Sequence, residues 1–134
     1  MRKAANYIHV AVGVIINAND EVLISFRHKN SDQGGLWEFP GGKKGDSESI
    51  ESALKREFRE ELNINLEAYF PLKKIKHNYG DKCVLLDTWM ITDFDGEPKG
   101  LEGQLVEWRS LESLKYEDFP AANAEIIKIL RSVK

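Results

Sequence analysis

Residues 41–64 read GGKKGDSESIESALKREFREELNI, a pair of glycines followed by a helical pattern. The apolar residues recur at helical spacing and predict a helix over residues 47–62. Glu57 and Glu61 fall on the same stripe as these apolar residues, and Glu60 lies at its edge. Carboxylates therefore face the side of the helix that should be buried.

Carboxylates on a buried helix face need a compensating cation. Each carboxylate loses hydration on burial, and neighbouring carboxylates repel one another. Oxygen ligands of this kind suit Mg²⁺ or Mn²⁺ rather than a soft metal. The helix thus predicts a divalent-metal site that faces a cavity.

The composition of the whole chain limits the classes of function. Its 134 residues fit a single domain over residues 1–134. The formal net charge is −3, so the chain lacks the basic footprint of a protein that binds nucleic-acid polymers. Because Cys83 is its one cysteine, no internal disulfide can form, which favours a reducing, cytoplasmic compartment. No apolar run reaches the length of a membrane span, and we expect no membrane contact.

Apolar and alternating runs predict strands on both sides of the acidic helix. These runs cover residues 7–16, 21–27, 36–39, 66–77, 83–92 and 105–109. A second helix begins near Phe119, and residues 29–35 predict a mobile loop. Gly41 and Gly42 could form only a turn, but their position ahead of the acidic helix favours a pocket. Ala11 and Gly13 form a small strand face, which often marks the close approach of a ligand or of backbone. This order indicates an α/β domain in which a mixed β-sheet lies between α-helices.

The acidic helix carries a recognisable signature. Residues 42–64 resemble the Nudix box, GX5EX7REUXEEXGU, and match every fixed position except one. Asn63 stands where the box has glycine, and we expect it to end the helix equally well because asparagine tolerates the left-handed conformation. Further segments resemble the MutT branch of this family: WEFPGGK at residues 37–43, DGEP, EGQ and EW within residues 95–108, and DFPAANAEII at residues 118–127. The resemblance covers nearly the whole chain.

The resemblance implies the Nudix fold and a Mg²⁺-dependent nucleoside triphosphate diphosphatase. MutT-like proteins hydrolyse 8-oxo-dGTP to 8-oxo-dGMP and pyrophosphate, which keeps oxidised guanine out of DNA. We therefore expect a small nucleotide as substrate, Mg²⁺ as cofactor with Mn²⁺ as a substitute, and a monomer. The alternatives are a Nudix activity on CTP, other nucleotides or nucleotide sugars, and a non-catalytic Nudix domain that only binds.

The same resemblance assigns roles to the acidic residues. It implies a metal site made of Glu57, Glu60, Glu61, Glu102 and the carbonyl oxygen of Gly41. Glu57 is a candidate for the base that activates water, because a carboxylate can accept the proton of a polarised water.

Two further residues of the box have supporting roles. Arg56 cannot accept a proton, so we expect it to act in catalysis by orienting a glutamate through a bidentate pair. Glu48 falls in the first turn of the predicted helix, where a carboxylate stabilises the helix dipole. Structural support and metal contact are both open for Glu48.

The resemblance also implies a substrate pocket. Asn123 matches the residue that reads the oxidised purine, and its amide offers donors and an acceptor to the O6/N7 edge of 8-oxoguanine. An N-cap of the second helix is the alternative role for Asn123. The other substrate-binding residues implied by the resemblance are Arg27, Glu38, Phe39, Pro40, Gly41 and Lys82.

Overall fold

The computed structural model describes residues 6–27 and 34–133 of the chain. Most of the loop predicted for residues 29–35 lies outside these described residues. The described strands and helices are β1 (Tyr7–Ile15), β2 (Glu21–Phe26), β3 (Trp37–Glu38), β4 (Gly41–Lys43), α1 (Ile50–Leu62), β5 (Asn65–Asn78), β6 (Cys83–Asp95), β7 (Val106–Ser110) and α2 (Ala121–Ser132). Neither of these helices is long and apolar enough to cross a membrane.

The strands form two sheets. The predicted mixed sheet is confirmed and has the order β4-β1-β6-β5, in which β1 and β6 run parallel and the other neighbours antiparallel. A second, antiparallel sheet has the order β3-β2-β7. Strand β1 thus lies inside the mixed sheet, between β4 and β6.

Side chains on the two faces of β1 belong to two separate cores, because successive residues of a strand point to opposite faces. Val12 and Val14 pack in the core that contains Ile126 of α2. Ala11 and Ile15 pack in the core that contains the apolar stripe of α1. The two helices therefore cover opposite faces of the mixed sheet, and the predicted α/β/α sandwich is confirmed.

The ends of α1 are set by two side chains. The helix begins at Ile50 rather than at Ser47, because the Ser49 hydroxyl accepts the Ser52 N–H at 3.1 Å and caps the helix there. At the other end, Asn63 adopts the left-handed conformation with φ 62° and ψ 35°. The prediction that Asn63 ends the helix in place of glycine is confirmed.

The glycine pair begins strand β4 instead of forming only a turn, and both glycines line the cavities described below. Gly41 pairs with Val12 and Gly42 with Ala11. A Cβ atom on Gly41 would overlap the carbonyl oxygen of Ala11, so a larger residue could not pair this closely. Because α1 packs against both β1 and β4, the glycine backbone lies beside the acidic face of the helix.

The close approach predicted at the small face of β1 is confirmed at Gly13. A Cβ atom there would overlap the ring of Phe58 in α1 and the side chain of Ile91 in β6. The approaching group is therefore part of the core under α1. Gly13 lets the helix lie close to the sheet, which brings its carboxylates near β4.

Candidate active site

Arg56 of α1 holds the neighbouring carboxylates in position. Its Nε and Nη2 atoms donate to the two oxygens of Glu48 at 3.0 and 2.6 Å, which makes a bidentate pair. Its Nη1 atom donates to Glu57 at 2.9 Å and to Glu60 at 3.1 Å. Nη2 also donates to the carbonyl oxygen of Lys43 at 3.1 Å and ties the helix to β4. Hydrogen bonds with Glu48 first, and then with Glu57, raise the pKa of Arg56 above its ordinary value.

Glu48 precedes α1, so its predicted place in the first helical turn is wrong. Besides its pair with Arg56, its Oε1 atom accepts the Gly45 N–H at 2.7 Å. The hydrogen bonds from Arg56 and from Gly45 lower the pKa of Glu48 to about 2. Since both oxygens of Glu48 bind the guanidinium, the geometry favours structural support over metal contact.

A polar cavity opens beside the last turn of α1, and Glu61 and Glu102 line it. The remaining lining residues are Ser25, Phe26, Arg27, Glu38, Gly41, Gly42 and Gln104. Burial, followed by the hydrogen bond and the charge of Glu57, raises the pKa of Glu61 to about 9. The charges of Glu102 and Glu38 act in the same direction. We call this space the acid cavity.

Glu57 lies next to the acid cavity and against β4. A Cβ atom on Gly42 would overlap the Glu57 carboxylate, so this carboxylate occupies space that only a glycine leaves open. The Glu57 side chain is 13% exposed and hydrogen-bonds to Glu61. Glu60 differs, because its side chain is 55% exposed and reaches Arg56 at the edge of the helix. The structure thus gathers Glu57 and Glu102 around Glu61 and places Glu60 outside them.

The carboxylates fit a hard divalent cation. In residues 6–27 and 34–133, no three His, Cys, Asp or Glu side chains converge with the geometry of a formed metal site. One reason is that Glu57 and Glu60 each direct an oxygen to Arg56. The donors are nevertheless all oxygens, and burial together with the neighbouring carboxylates raises the pKa of Glu61, so a divalent cation would stabilise the charged form of these acids. The metal roles of Gly41, Glu57, Glu60, Glu61 and Glu102 stay predictions.

Asn123 lies in the first turn of α2 and is 8% exposed. Pro120 occupies the capping position of α2, so the alternative that Asn123 caps the helix is wrong. The Oδ1 atom of Asn123 accepts the backbone N–H of Phe39 at 2.9 Å. This bond fixes the orientation of the amide and leaves Nδ2 as its donor.

Asn123 lines a second cavity, which we call the base cavity. Its volume of about 150 Å³ is roughly ten times the space that one water needs. The polar side chains in its lining are Arg27, Glu38, Lys43, Tyr79, Lys82 and Asn123, and the apolar part of the wall includes Ile8, Val10, Val12, Phe39, Val84 and Leu86. A mostly apolar cavity with a few polar groups is typical of a small-molecule site.

The acid cavity and the base cavity share a wall formed by Arg27, Glu38, Gly41 and Gly42. Arg27 Nη1 donates to Glu38 Oε1 at 2.7 Å within this wall. Burial raises the pKa of Glu38, and the charge and hydrogen bond of Arg27 oppose that shift. A ligand in the base cavity that extends past this ion pair reaches the acid cavity.

Lys82 and Pro40, both predicted to bind substrate, lie in different places relative to the two cavities. Lys82 lines the base cavity. Pro40 is buried, and it lines neither the acid cavity nor the base cavity. Its carbonyl oxygen accepts the Gly13 N–H at 3.0 Å, which ties the residue before β4 to β1. The substrate-binding role of Pro40 stays a prediction.

Sequence patterns did not reveal two residues of the site. Gln104 accepts the Glu102 N–H at 2.9 Å and donates to the Glu61 carbonyl oxygen at 3.1 Å. Tyr79 accepts the Ala122 N–H at 3.0 Å through its hydroxyl. The EGQ segment contained the signal for Gln104, whereas no periodicity or spacing pointed to Tyr79.

Comparison with protein families agrees with this geometry. Residues 11–129 match the model of the NUDIX domain. The chain belongs to the Nudix family. Nudix hydrolases use divalent metal ions, typically Mg²⁺, which agrees with the oxygen ligands around the acid cavity.

Relatives of this Nudix chain include enzymes with two different nucleotide substrates. It is 37% identical over 124 residues to the 8-oxo-dGTP diphosphatase of Escherichia coli K12, with 92% of this chain and 96% of that protein covered. It is also 37% identical over 116 residues to the CTP pyrophosphohydrolase of the same strain, with 86% and 84% covered. A MutT structure from Aliivibrio salmonicida or Vibrio cholerae superposes with a TM-score of 0.80 at 32% identity, covering 95% of this chain and 99% of that one.

Proposed function

We propose that this Nudix chain hydrolyses 8-oxo-dGTP to 8-oxo-dGMP and pyrophosphate with Mg²⁺ as cofactor. One observation carries the proposal: Asn123, oriented by the Phe39 N–H, lines a cavity that shares a wall with the acid cavity. A nucleoside triphosphate has a base at one end and phosphates at the other, and the two connected cavities suit these two ends. The relative named 8-oxo-dGTP diphosphatase supports the same substrate.

Asn123 reads the base. Its Nδ2 atom donates to O6 of the oxidised purine, and the second lone pair of Oδ1 accepts the proton that 8-oxoguanine carries on N7. Unoxidised guanine has no proton on N7, so two acceptors would face each other at the same place. A site that hydrogen-bonds a substrate N–H rejects an analogue without it, because a buried polar group stays unpaired.

The acid cavity receives the phosphates. The charge of Arg27 attracts them where the two cavities meet. The residues that would hold Mg²⁺ are Glu57, Glu60, Glu61, Glu102 and the Gly41 carbonyl. When bound there, Mg²⁺ would neutralise the phosphate charge and activate water.

Glu57 acts as the general base. It takes a proton from the attacking water, whose oxygen bonds to phosphorus while the bridging P–O bond between monophosphate and pyrophosphate breaks. Arg56 keeps its proton throughout, because its pKa is raised, and it orients Glu57 and Glu60. Glu57 is therefore the base, and Arg56 is the residue that positions it.

The proposed biological setting follows from the substrate. The enzyme acts on a free nucleotide and not on a nucleic-acid polymer or a membrane, as a cytoplasmic monomer, and removes a mutagenic precursor from the nucleotide pool. The net charge of −3 and the single cysteine support this setting.

CTP is the second candidate substrate, because one relative is named CTP pyrophosphohydrolase. Pyrophosphate release with Mg²⁺ separates the two candidates through kcat/KM for 8-oxo-dGTP, dGTP and CTP. We expect the highest value for 8-oxo-dGTP. A higher value for CTP would overturn the proposed substrate. Release at background for every nucleotide would show a binding domain instead of an enzyme.

Two variants of Asn123 test the reading of the base. Asn123→Asp keeps an acceptor for the Phe39 N–H but replaces the Nδ2 donor by a second acceptor. We expect kcat/KM to fall about tenfold for both 8-oxo-dGTP and dGTP, because both bases present O6 to the lost donor. The preference for 8-oxo-dGTP should remain, since an acceptor still faces the N7 proton. Asn123→Ala removes the donor and the acceptor together and should lose the preference. If Asn123→Ala keeps the ratio of the unmodified protein, the assignment is wrong.

A further inference from the structure

Tyr79 is held at the wall of the base cavity. It lies in the turn between β5 and β6, where its backbone N–H donates to the Lys82 carbonyl oxygen at 2.8 Å. Its ring contacts the ring of His77, with 4.3 Å between the centroids. The turn and the ring contact thus fix the side chain at the cavity that Asn123 also lines.

The Tyr79 hydroxyl contacts the beginning of α2. Its oxygen accepts the Ala122 N–H at 3.0 Å, whereas Pro120 at the capping position has no side-chain hydrogen bond to the helix. Tyr79 therefore satisfies one of the N–H groups that a helix beginning leaves without an intrahelical partner. Because the oxygen accepts there, its own proton is available for a second bond, and no acceptor within the described part of the chain takes it.

Two donors line the base cavity at the beginning of α2. The Tyr79 hydroxyl is bound to the Ala122 N–H, and Tyr79, Ala122 and Asn123 all line this cavity. A hydroxyl that accepts from a helix N–H is polarised and donates more strongly. The cavity thus offers a donor at Asn123 Nδ2, an acceptor at Asn123 Oδ1 and a donor at Tyr79.

We propose that Tyr79 is a specificity-determining residue whose hydroxyl donates a hydrogen bond to O8 of 8-oxoguanine. This inference rests on the proposed function. Along the oxidised edge of the base, O6 is an acceptor, the N7 N–H is a donor and O8 is an acceptor. Asn123 Nδ2, Asn123 Oδ1 and the Tyr79 hydroxyl supply the complementary donor, acceptor and donor. Guanine has a C–H group at position 8, so only the oxidised base uses the hydroxyl.

Tyr79→Phe tests this inference, because it removes the hydroxyl and keeps the ring. We expect kcat/KM for 8-oxo-dGTP to fall about three- to tenfold, the effect of one neutral hydrogen bond, while the value for dGTP changes less than about twofold. Titration calorimetry with the products 8-oxo-dGMP and dGMP should show the same selective loss. The control is Tyr116→Phe, since Tyr116 is 40% exposed and lines neither cavity.

The outcomes are distinct. If kcat/KM in Tyr79→Phe falls equally for 8-oxo-dGTP and dGTP and the melting temperature also falls, Tyr79 only supports α2. If kcat/KM is unchanged for both nucleotides, the hydroxyl makes no contact with O8. Either result overturns the inference on Tyr79. If the unmodified protein itself does not prefer 8-oxo-dGTP over dGTP, the proposed function fails first.

Discussion

The side-chain amide of Gln104 donates to the Glu61 carbonyl oxygen at 3.1 Å, at the last turn of α1. The Leu101 N–H donates to the same carbonyl at 3.0 Å, and the Gln104 oxygen accepts the Glu102 N–H at 2.9 Å. The last carbonyls of a helix have no intrahelical partner, so this loop caps α1. It thereby brings Glu102 to the same cavity as Glu61.

Gln104→Ala should loosen the position of Glu102. We expect kcat to fall about tenfold and the Mg²⁺ concentration for half-maximal activity to rise, because small displacements of catalytic groups are costly. Pyrophosphate release measured over a Mg²⁺ titration checks both values. Gln104→Glu is the companion variant, since it keeps the acceptor for Glu102 and loses the donor to Glu61. An unchanged Mg²⁺ dependence in Gln104→Ala would mean that the loop holds its position without this side chain.

Gly42→Ala should lower the activity, whereas Gly13→Ala should lower the stability of the fold. At Gly42 the new Cβ meets the end of the Glu57 side chain, which can rotate away, so we expect activity to fall at least about tenfold with little loss of stability. At Gly13 it meets the ring of Phe58 and the side chain of Ile91 in the core, so we expect the free energy of unfolding to fall by about 1–3 kcal/mol. Denaturant unfolding and kcat/KM of both variants check this. A fully active Gly42→Ala would show that the Glu57 carboxylate can work from another position.

Glu57→Gln should reduce kcat by about a hundredfold or more, because the amide cannot take the proton of the attacking water. Its carbonyl oxygen can still accept from Arg56, so the fold should survive. Single-turnover kinetics and circular dichroism measure the two properties. Glu51→Gln is the control, as Glu51 is an exposed residue in the first turn of the same helix. A near-normal kcat in Glu57→Gln would remove Glu57 from the role of base.

The stability of the metal-free protein should fall as the pH rises. The pKa of Glu61 is about 9 in the folded protein and 4.5 ordinarily. The contribution of Glu61 to the stability of the metal-free protein is therefore complete below about pH 4.5 and is lost as the pH rises through about 9. We expect the melting temperature in EDTA to decrease from pH 5.5 to pH 8.5, and Mg²⁺ to stabilise more at the higher pH.

Glu61→Gln provides the check on this pH dependence. The amide does not titrate, so the melting temperature in EDTA should vary much less over the same pH range. A variant with the same slope as the unmodified protein would show that other groups cause the effect.

The amino-acid pattern alone was sufficient for the helix and its acids, and the resemblance to the Nudix box implied the reaction class. Helical spacing places Glu57 and Glu61 on the apolar face of α1, and Asn63 ends the helix in the left-handed conformation as predicted. These features depend on neighbours within a few residues, so local sequence determines them. The alternating strands were predicted for the same reason, apart from β4, whose identity depends on its pairing with β1.

Only the tertiary structure decided how the distant segments meet. Arg56 takes Glu48 as its bidentate partner, and Asn123 binds the backbone of Phe39, 84 positions away, instead of capping α2. Tyr79 and Gln104 enter the site through contacts of the same long range. Spacing along the chain carries no information on such contacts, because they form only when separate elements pack together. The helix pattern therefore determines where the acids lie along α1, while the packing of α2 on the sheet places Asn123 and Tyr79 at the base cavity.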